Sequence, residues 1–478
     1  MRSQHVLYSS VALGIAGMVP SAFAEESTAK QPNILFIFSD DQCHDAINAL
    51  GNSEIITPNL DKLVKSGTTF TNTFNSGAWS PGVCLASRTM IFSGMQIWGA
   101  SKLNLKEHEA QGRFWPQLMQ KAGYETYFSG KWHVGKNDMG LCQRLFKNTV
   151  HIRKNMPNQT KSGYNRPKNE QDKSWLPWDK SKGGHWKGGK HWSEVLADDG
   201  IDFLNTTKSS DKPFFMTLCF SAPHDPRQAP KEYVDMYSLE KITIPKAYLK
   251  DYPYRESIGL KKLRDENLAP HPRTEHAVKT HIQEYYAITT HMDAQIGRIL
   301  DHLKQTGQAE NTIIVYSSDH GLAVGKHGFM GKQNMYDHSL RPPWIISGPG
   351  IQPNHKIDSM IYLQDVFPTA LELAGAKVPE FLQFQSVIPL LKGDTSHERK
   401  TIYAAWTDVQ RAVRTEKHKL IFYPKINKWR LYDIQADEEE TKDLIDNPEY
   451  ASVITELKGK LKQQMKTYND PLTSKNLF

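Results

Sequence analysis

Four times in the chain a short apolar run ends in a cluster of polar residues, and this pattern limits the available folds more than any other. Asn33-Ile34-Leu35-Phe36-Ile37-Phe38 ends in Ser39-Asp40-Asp41, and Tyr124 to Phe128 runs into Ser129-Gly130-Lys131-Trp132-His133. Phe214 to Phe220 runs into Ser221-Ala222-Pro223-His224, and Ile313 to Tyr316 into Ser317-Ser318-Asp319-His320. Continuous apolar runs of this length predict strands buried on both faces. Helical periodicity lies between them, in Leu60 to Val64, in Phe114 to Lys121 before Gly123, and in Ile282 to Leu300, which carries Tyr285, Ile288, Met292, Ile296 and Ile299 on one face. Strands alternating with helices predict an α/β fold, a large mostly parallel sheet covered by helices on both faces. Ligands bind such sheets beyond the carboxyl ends of the strands, which is where these Asp, His and Lys residues fall.

The ends of the chain have a different texture. Residues 1–24 read as a secretory signal peptide: Arg2, an apolar run from Val6 to Val19, and a small-residue site at Ala22-Phe23-Ala24. The run is shorter than the roughly 20 residues that span a bilayer, so a periplasmic or secreted bacterial protein with no membrane attachment after cleavage is expected. After Gly393-Asp394 come short strand candidates, Thr401 to Trp406, Ala412 to Thr415, Leu420 to Tyr423 and Trp429 to Asp433, then a charged helix from about Tyr450 to Tyr468. This predicts a catalytic domain over 25–393 and a smaller C-terminal subdomain over 394–478, an antiparallel sheet with a helix on it.

Net charge is +7, and it is concentrated: from Gln143 to Lys190 twelve lysines and arginines stand against Glu170, Asp172 and Asp179. The segment has little periodicity and holds Trp175, Trp178 and Trp186, with Trp192 just beyond it. It is either a solvated insertion or a substrate wall whose cations attract a polyanion and whose indoles stack on sugar rings. On the second reading His185, Trp186 and Lys190 are candidate substrate contacts. No nucleic-acid-binding fold accompanies the charge, so nucleic acid is not the expected partner. Cys43, Cys84, Cys142 and Cys219 are too few and too scattered for a disulfide framework, and their spacing matches no zinc site.

Three carboxylates, Asp40, Asp41 and Asp319, meeting His320 at one sheet edge would repel one another and desolvate badly without a cation between them. A hard divalent metal with oxygen ligands resolves this. Arg88, Lys131 and Lys332, with His133 and His224, are what a small tetrahedral oxyanion needs: fixed positive charge and two groups able to exchange protons near neutral pH. The sequence offers one such ligand set, which disfavours a two-metal phosphatase.

The series FSDDQ, CLASR followed by TMIFSG, GKWHVG, PHDP, YYAITTHMDAQIGRIL, SSDHG, GKHGFMGKQNMYDHSLRPPWIISGPG and DVFPTALELAG resembles, in order and from about Gln31 to Tyr432, the formylglycine-dependent (type I) sulfatases of the alkaline phosphatase-like superfamily. Its most specific part is the Cys-x-(Pro or Ala)-x-Arg signature read by the formylglycine-generating maturase. The resemblance implies that Cys84 is oxidised to Cα-formylglycine, whose hydrate supplies the nucleophilic hydroxyl. It further implies a metal, Ca²⁺ or else Mg²⁺ or another divalent ion, held by Asp40, Asp41, Asp319, His320 and the residue at position 84. Arg88 and Lys131 would then stabilise the diol, Lys332 grip the sulfate, His224 protonate the leaving alcohol and His133 accept the diol proton, with His327 a further substrate contact. Ala86 stands where many members have Pro, and His320 where Asn is frequent. The implied substrate is a sulfated polysaccharide or oligosaccharide, with algal carrageenan or ulvan favoured. The alternatives are a phosphate or phosphonate ester, or a silent glycan-binding protein; the latter is disfavoured because no member of the expected catalytic set is missing.

Overall fold

In the computed structural model, which describes residues 30–135, 138–153 and 161–474, the first apolar run becomes the strand β1 (Asn33–Ser39) at the middle of an eight-stranded sheet. The segment read as a signal peptide lies outside the described residues. The other strands are β2 (Gly67–Phe70), β3 (Glu125–Lys131), β4 (Asn148–Arg153), β5 (Phe214–Cys219), β6 (Thr312–Ser318), β7 (Trp344–Ser347) and β8 (His355–Ile357). Their order across the sheet is β8-β2-β7-β6-β1-β5-β3-β4, and only β7 runs against its neighbours.

Why β1 is apolar throughout follows from its position. Leu35 and Ile37 enter a core with the helices α1 (Pro58–Ser66), α3 (Trp192–Thr207) and α4 (Glu275–Gln305). Ile34, Phe36 and Phe38 enter a second core on the opposite face with Phe92 of α2 (Val83–Ser93), Trp115 and Phe367. A strand with solvent on neither side has no place for polar alternation. Helix α4 contributes its predicted stripe, Tyr285, Ile288, Met292, Ile296 and Ile299, and begins at Thr274, whose hydroxyl accepts the Ala277 N–H at 3.1 Å.

The C-terminal sheet consists of β9 (Ile402–Trp406), β10 (Gln410–Arg414), β11 (His418–Tyr423) and β12 (Lys428–Asp433), all antiparallel, with α5 (Ala451–Thr467) packed on it through Leu457, Leu461 and Met465. A fifth strand, Gly77–Ala78, joins β9 in parallel from far upstream. Gly77 has φ +86°, and a Cβ there would lie 2.0 Å from the carbonyl oxygen of Ala405, so only glycine permits this approach. The join comes seven residues before Cys84 and fastens the C-terminal sheet to the loop that leads into α2.

The described residues of the basic segment are more ordered than its composition predicts. It includes the edge strand β4 and three short 3₁₀ turns, and its tryptophans are covered by the chain's own cations: Arg166 over Trp175 at 4.8 Å, Lys231 over Trp178 at 5.3 Å and Lys180 over Trp186 at 5.2 Å. All four cysteines are buried and reduced. No helix among the described residues is long and apolar enough to cross a membrane.

Candidate active site and cation site

The four polar clusters converge because their strands are neighbours. β6, β1, β5 and β3 lie side by side and parallel, so their carboxyl ends open on one edge. Ser39 is paired with Ser318, which sets Asp40 and Asp319 next to each other. Asp41 adopts φ 71° and its backbone N–H donates to Asp319 Oδ1 at 3.1 Å, turning both carboxylates toward a common point. On β3, Gly130 has φ +101° and passes so close to Cys219 that a Cβ would sit 2.0 Å from its carbonyl oxygen. The register shift at this residue delivers Lys131 to the Asp40 carboxylate as an ion pair.

Cys84 enters from the first turn of α2, with Sγ 3.2 Å from His320 Nε2 and 3.8 Å from Asp41 Oδ1. One helical turn on, Arg88 donates from Nε to Asp319 Oδ2 at 3.0 Å and from Nη1 to the Lys131 carbonyl at 2.8 Å, over the ring of Phe38. Lys332 places Nζ 2.7 Å from both oxygens of Asp41. His320 is oriented by its Nδ1 contact with the Gly321 carbonyl at 2.9 Å. Asp40, Asp41, Cys84, Asp319 and His320 each offer a ligand atom, all within 4.8 Å of one another.

The electrostatics of this cluster fit a cation. Burial, reinforced by the charges of Asp40 and Asp319, holds Asp41 well above the usual carboxylate range despite Lys332. Burial acts on Asp40 in the same direction, but Lys131, His224, Arg88 and Lys332 overcome it and hold that carboxylate low. Asp40 Oδ1 is buried and has no hydrogen-bond donor among the described residues. An orphaned carboxylate oxygen facing two further carboxylates is what a divalent ion satisfies. Burial and the Asp40 charge also push the Cys84 thiol up, away from the thiolate a cysteine nucleophile needs.

Both remaining histidines lie beside this cluster. His224 passes its Nδ1 hydrogen to the Asp225 carbonyl at 2.7 Å and points Nε2 toward Asp41, 3.9 Å from Oδ2. Burial, with Lys332 and Lys131, lowers its pKa well below the ordinary range, so an imidazolium there depends on an anion bound alongside. His133 has φ 51° and a buried Nδ1 with no partner among the described residues; burial, Lys131 and Arg88 bring its pKa down to about 2, so it is a neutral acceptor.

The remaining sequence candidates lie outside the ligand cluster itself. His327 stacks on Tyr336 at 3.8 Å and its Nε2 contacts the Glu440 carbonyl at 2.9 Å, toward the C-terminal sheet. His185 is fully buried with Nε2 3.2 Å from the His224 carbonyl. Trp186 is buried and donates its ring N–H to the Pro177 carbonyl at 3.1 Å, while exposed Lys190 pairs with Asp198.

Two features escaped the sequence. A second potential ligand group, Asp41, His224 and Asp225, overlaps the first, which corrects the expectation of one set. Lys332 on Asp41 and Arg264 on Asp225, the latter at 2.8 Å, already neutralise it, so the second position carries side-chain cations. The other is Arg264 itself, with Asp265, in a stretch, Arg264-Asp265-Glu266, that carries no motif. Ser87 and Asn75, which donate to the Asp319 carbonyl and so hold that ligand in place, also carry no chemical signature of their own.

The comparisons agree with this architecture. The chain matches the Sulfatase family over residues 32–376 and, over residues 325–467, the family described as N-sulphoglucosamine sulphohydrolase, C-terminal. It is similar to an arylsulfatase of Clostridium perfringens, 28% identical over 93% of this chain and 97% of that one. An N-acetylglucosamine-6-O-sulfatase of Bacteroides thetaiotaomicron is 28% identical over 96% and 90%, and an ulvan-active sulfatase of Formosa agariphila 25% identical over 95% and 85%. A solved structure in complex with its substrate D-glucosamine-2-N,6-O-disulfate has the same fold, with a TM-score of 0.73, 24% identity, and coverage of 94% of this chain and 100% of that one. With the family match spanning most of its length and the buried cluster of carboxylates, cysteine and histidine at the sheet edge, the chain belongs to the sulfatase family and is a sulfuric ester hydrolase.

Proposed function

We propose that the protein acts outside the cytoplasm on a sulfated saccharide, with algal polymers of the carrageenan or ulvan type as the favoured substrates and residue 84 converted to Cα-formylglycine. The observation that carries this reading is the convergence of Cys84 with three carboxylates and His320 within 4.8 Å, beside the buried cations Arg88, Lys131 and Lys332. The hydrated aldehyde supplies the attacking oxygen, and a divalent ion, Ca²⁺ by preference for its oxygen-rich shell, supplies charge stabilisation where Asp40, Asp41, Asp319 and His320 would hold it. Arg88 and Lys131 fix the charge around residue 84, and Lys332 meets the sulfate oxygens. Neutral His133 accepts the proton that residue 84 gives up, and His224, its Nδ1 anchored on Asp225, delivers a proton from Nε2 to the leaving oxygen. His185 supports His224 from behind, and Trp186 is packed within the basic segment, its ring N–H on the Pro177 carbonyl.

The test is sulfate release. Protein co-expressed with a maturase is expected to free sulfate from one class in a panel of carrageenans, ulvan, fucoidan and glycosaminoglycans with their oligosaccharides, and protein made without the maturase to free little. Release from glycosaminoglycans alone would replace the algal assignment. Hydrolysis of 4-nitrophenyl phosphonates with no sulfate release would overturn the sulfated-saccharide reading.

The basic segment makes a second expectation. Lys187 and Lys190 are exposed and Lys182 half-buried, so glutamine at all three removes charge without opening the core. At low salt KM on polymer should rise roughly 3- to 10-fold with kcat little changed, and the effect should fade as salt screens the field. An unchanged KM at low salt would leave the segment a structural insertion.

A further inference from the structure

Arg88, Lys131 and Lys332 are almost wholly buried and committed to Asp40, Asp41 and Asp319. Arg264 is different: its side chain is 32% exposed and it touches the candidate acid itself. Its Nη2 lies 2.8 Å from Asp225 Oδ1 and 3.4 Å from His224 Nε2, the nitrogen that faces the leaving group, and its Nε donates to Asp265 Oδ1 at 2.8 Å. Nη1 takes no partner among the described residues.

Both carboxylates are also held from elsewhere. Tyr164 donates to Asp225 Oδ2 at 3.1 Å, and Gln333 donates to Asp265 Oδ2 at 3.0 Å, with Lys332 3.8 Å from the same oxygen. The guanidinium plane is therefore fixed through Nε and Nη2 and open at Nη1. The backbone around it is tied to the basic segment, where Asn165 and Arg166 donate to the carbonyls of Asn267 and Leu268 at 2.7 and 3.1 Å.

We infer that Arg264 is a specificity-determining residue that receives a second anionic substituent, a carboxylate or a further sulfate, on the sugar that leaves. The inference rests on the sulfatase mechanism proposed above, since it is the position of His224 that places Arg264 on the leaving-group side. An arginine keeps its charge at any working pH, and on a plane pre-oriented through Nε and Nη2 the open Nη1 can give charge-assisted hydrogen bonds to an oxygen of a carboxylate or sulfate. A neutral hydroxyl would meet the same donors without the charge. The positive segment that joins this wall raises the local concentration of such a substrate.

The experiment compares two matched pairs: a sulfated uronic-acid disaccharide with its carboxyl-reduced form, and glucosamine 2-N,6-O-disulfate with glucosamine 6-sulfate. Initial rates are measured for the converted wild type, Arg264→Gln and Arg264→Lys. The wild type is expected to prefer the more anionic member of one pair by ~10-fold or more in kcat/KM, mainly through KM, the scale of one charge-assisted contact. In R264Q that ratio should fall to within about twofold of one, with R264K between, because lysine keeps the charge but loses the planar group that Asp225 and Asp265 orient. Which pair shows the preference identifies the carboxylate or the sulfate. A wild-type ratio near one, a ratio that survives in R264Q, or an equal fall on both members would each overturn the assignment, the last by making Arg264 a support for Asp225. Absence of sulfate release from all four compounds and from 4-nitrophenyl sulfate, with residue 84 converted, would remove the underlying mechanism instead.

Discussion

The substitution Asp319→Asn is expected to strip the bound divalent ion and lower kcat by ~10³-fold or more, the scale on which removing one electrostatic element of a preorganised site is felt. Asp319 sits at the centre of the cluster: Oδ1 accepts the Asp41 N–H at 3.1 Å and Oδ2 accepts Arg88 Nε at 3.0 Å. The asparagine side chain keeps the shape and one acceptor while removing the charge, so the metal-to-protein ratio measured by elemental mass spectrometry isolates the ligand role. Asp319→Ala adds a second effect. It leaves the buried Arg88 guanidinium with Asp40 Oδ1 at 3.9 Å as its remaining ion-pair partner, and stranding a buried charge costs about 3 to 5 kcal/mol, which a fall in Tm would register. Full metal occupancy in the asparagine variant would overturn the ligand assignment.

Much of this site was legible because its logic is one-dimensional. Each apolar run ends within three residues of the end of its strand, so the polar residues that follow the run are site candidates, and Asp40, Lys131 and Asp319 follow from that rule alone. What makes the rule work is three-dimensional: the four runs occupy adjacent parallel strands, β6-β1-β5-β3, an order the separations along the chain do not reveal. Strand β4 was missed because Asn148 to Arg153 carries only Thr149, Val150 and Ile152 as strand formers, too little for an edge strand to stand out within a basic stretch. Gly77–Ala78 was missed because two residues cannot hold a periodicity; its signal is the glycine, which a close backbone approach demands. Arg264 lies in a loop whose local sequence carries no motif, and its meaning comes from Asp225, 39 residues away. In the basic segment composition marks the tryptophans as stacking platforms, and what it does not show is that Arg166, Lys180 and Lys231 each lie over one of these rings.

Conversion of Cys84 is expected to account for all of the activity. In enzyme co-expressed with a maturase, the peptide spanning position 84 should be lighter than encoded, by the exchange of CH₂SH for CHO, and the converted fraction should equal the active fraction. Cys84→Ala should lower turnover by ~10⁵-fold or more, as deletion of a covalent nucleophile does. The reason lies in the surroundings of Sγ. A cysteine nucleophile works as a thiolate, and here Sγ stands 3.8 Å from Asp41 Oδ1, within a cluster that also contains Asp40 and Asp319, where a further negative charge is repelled. A neutral hydrate at the same place meets no such repulsion, and one of its oxygens can serve as a cation ligand. Cys84→Ser separates the two hydroxyls: a single hydroxyl can be sulfated once but has no partner oxygen to expel the sulfate. That variant should therefore show at most one turnover and accumulate a sulfated peptide detectable by mass spectrometry. Fully active enzyme with an unmodified thiol at position 84 would overturn the mechanism.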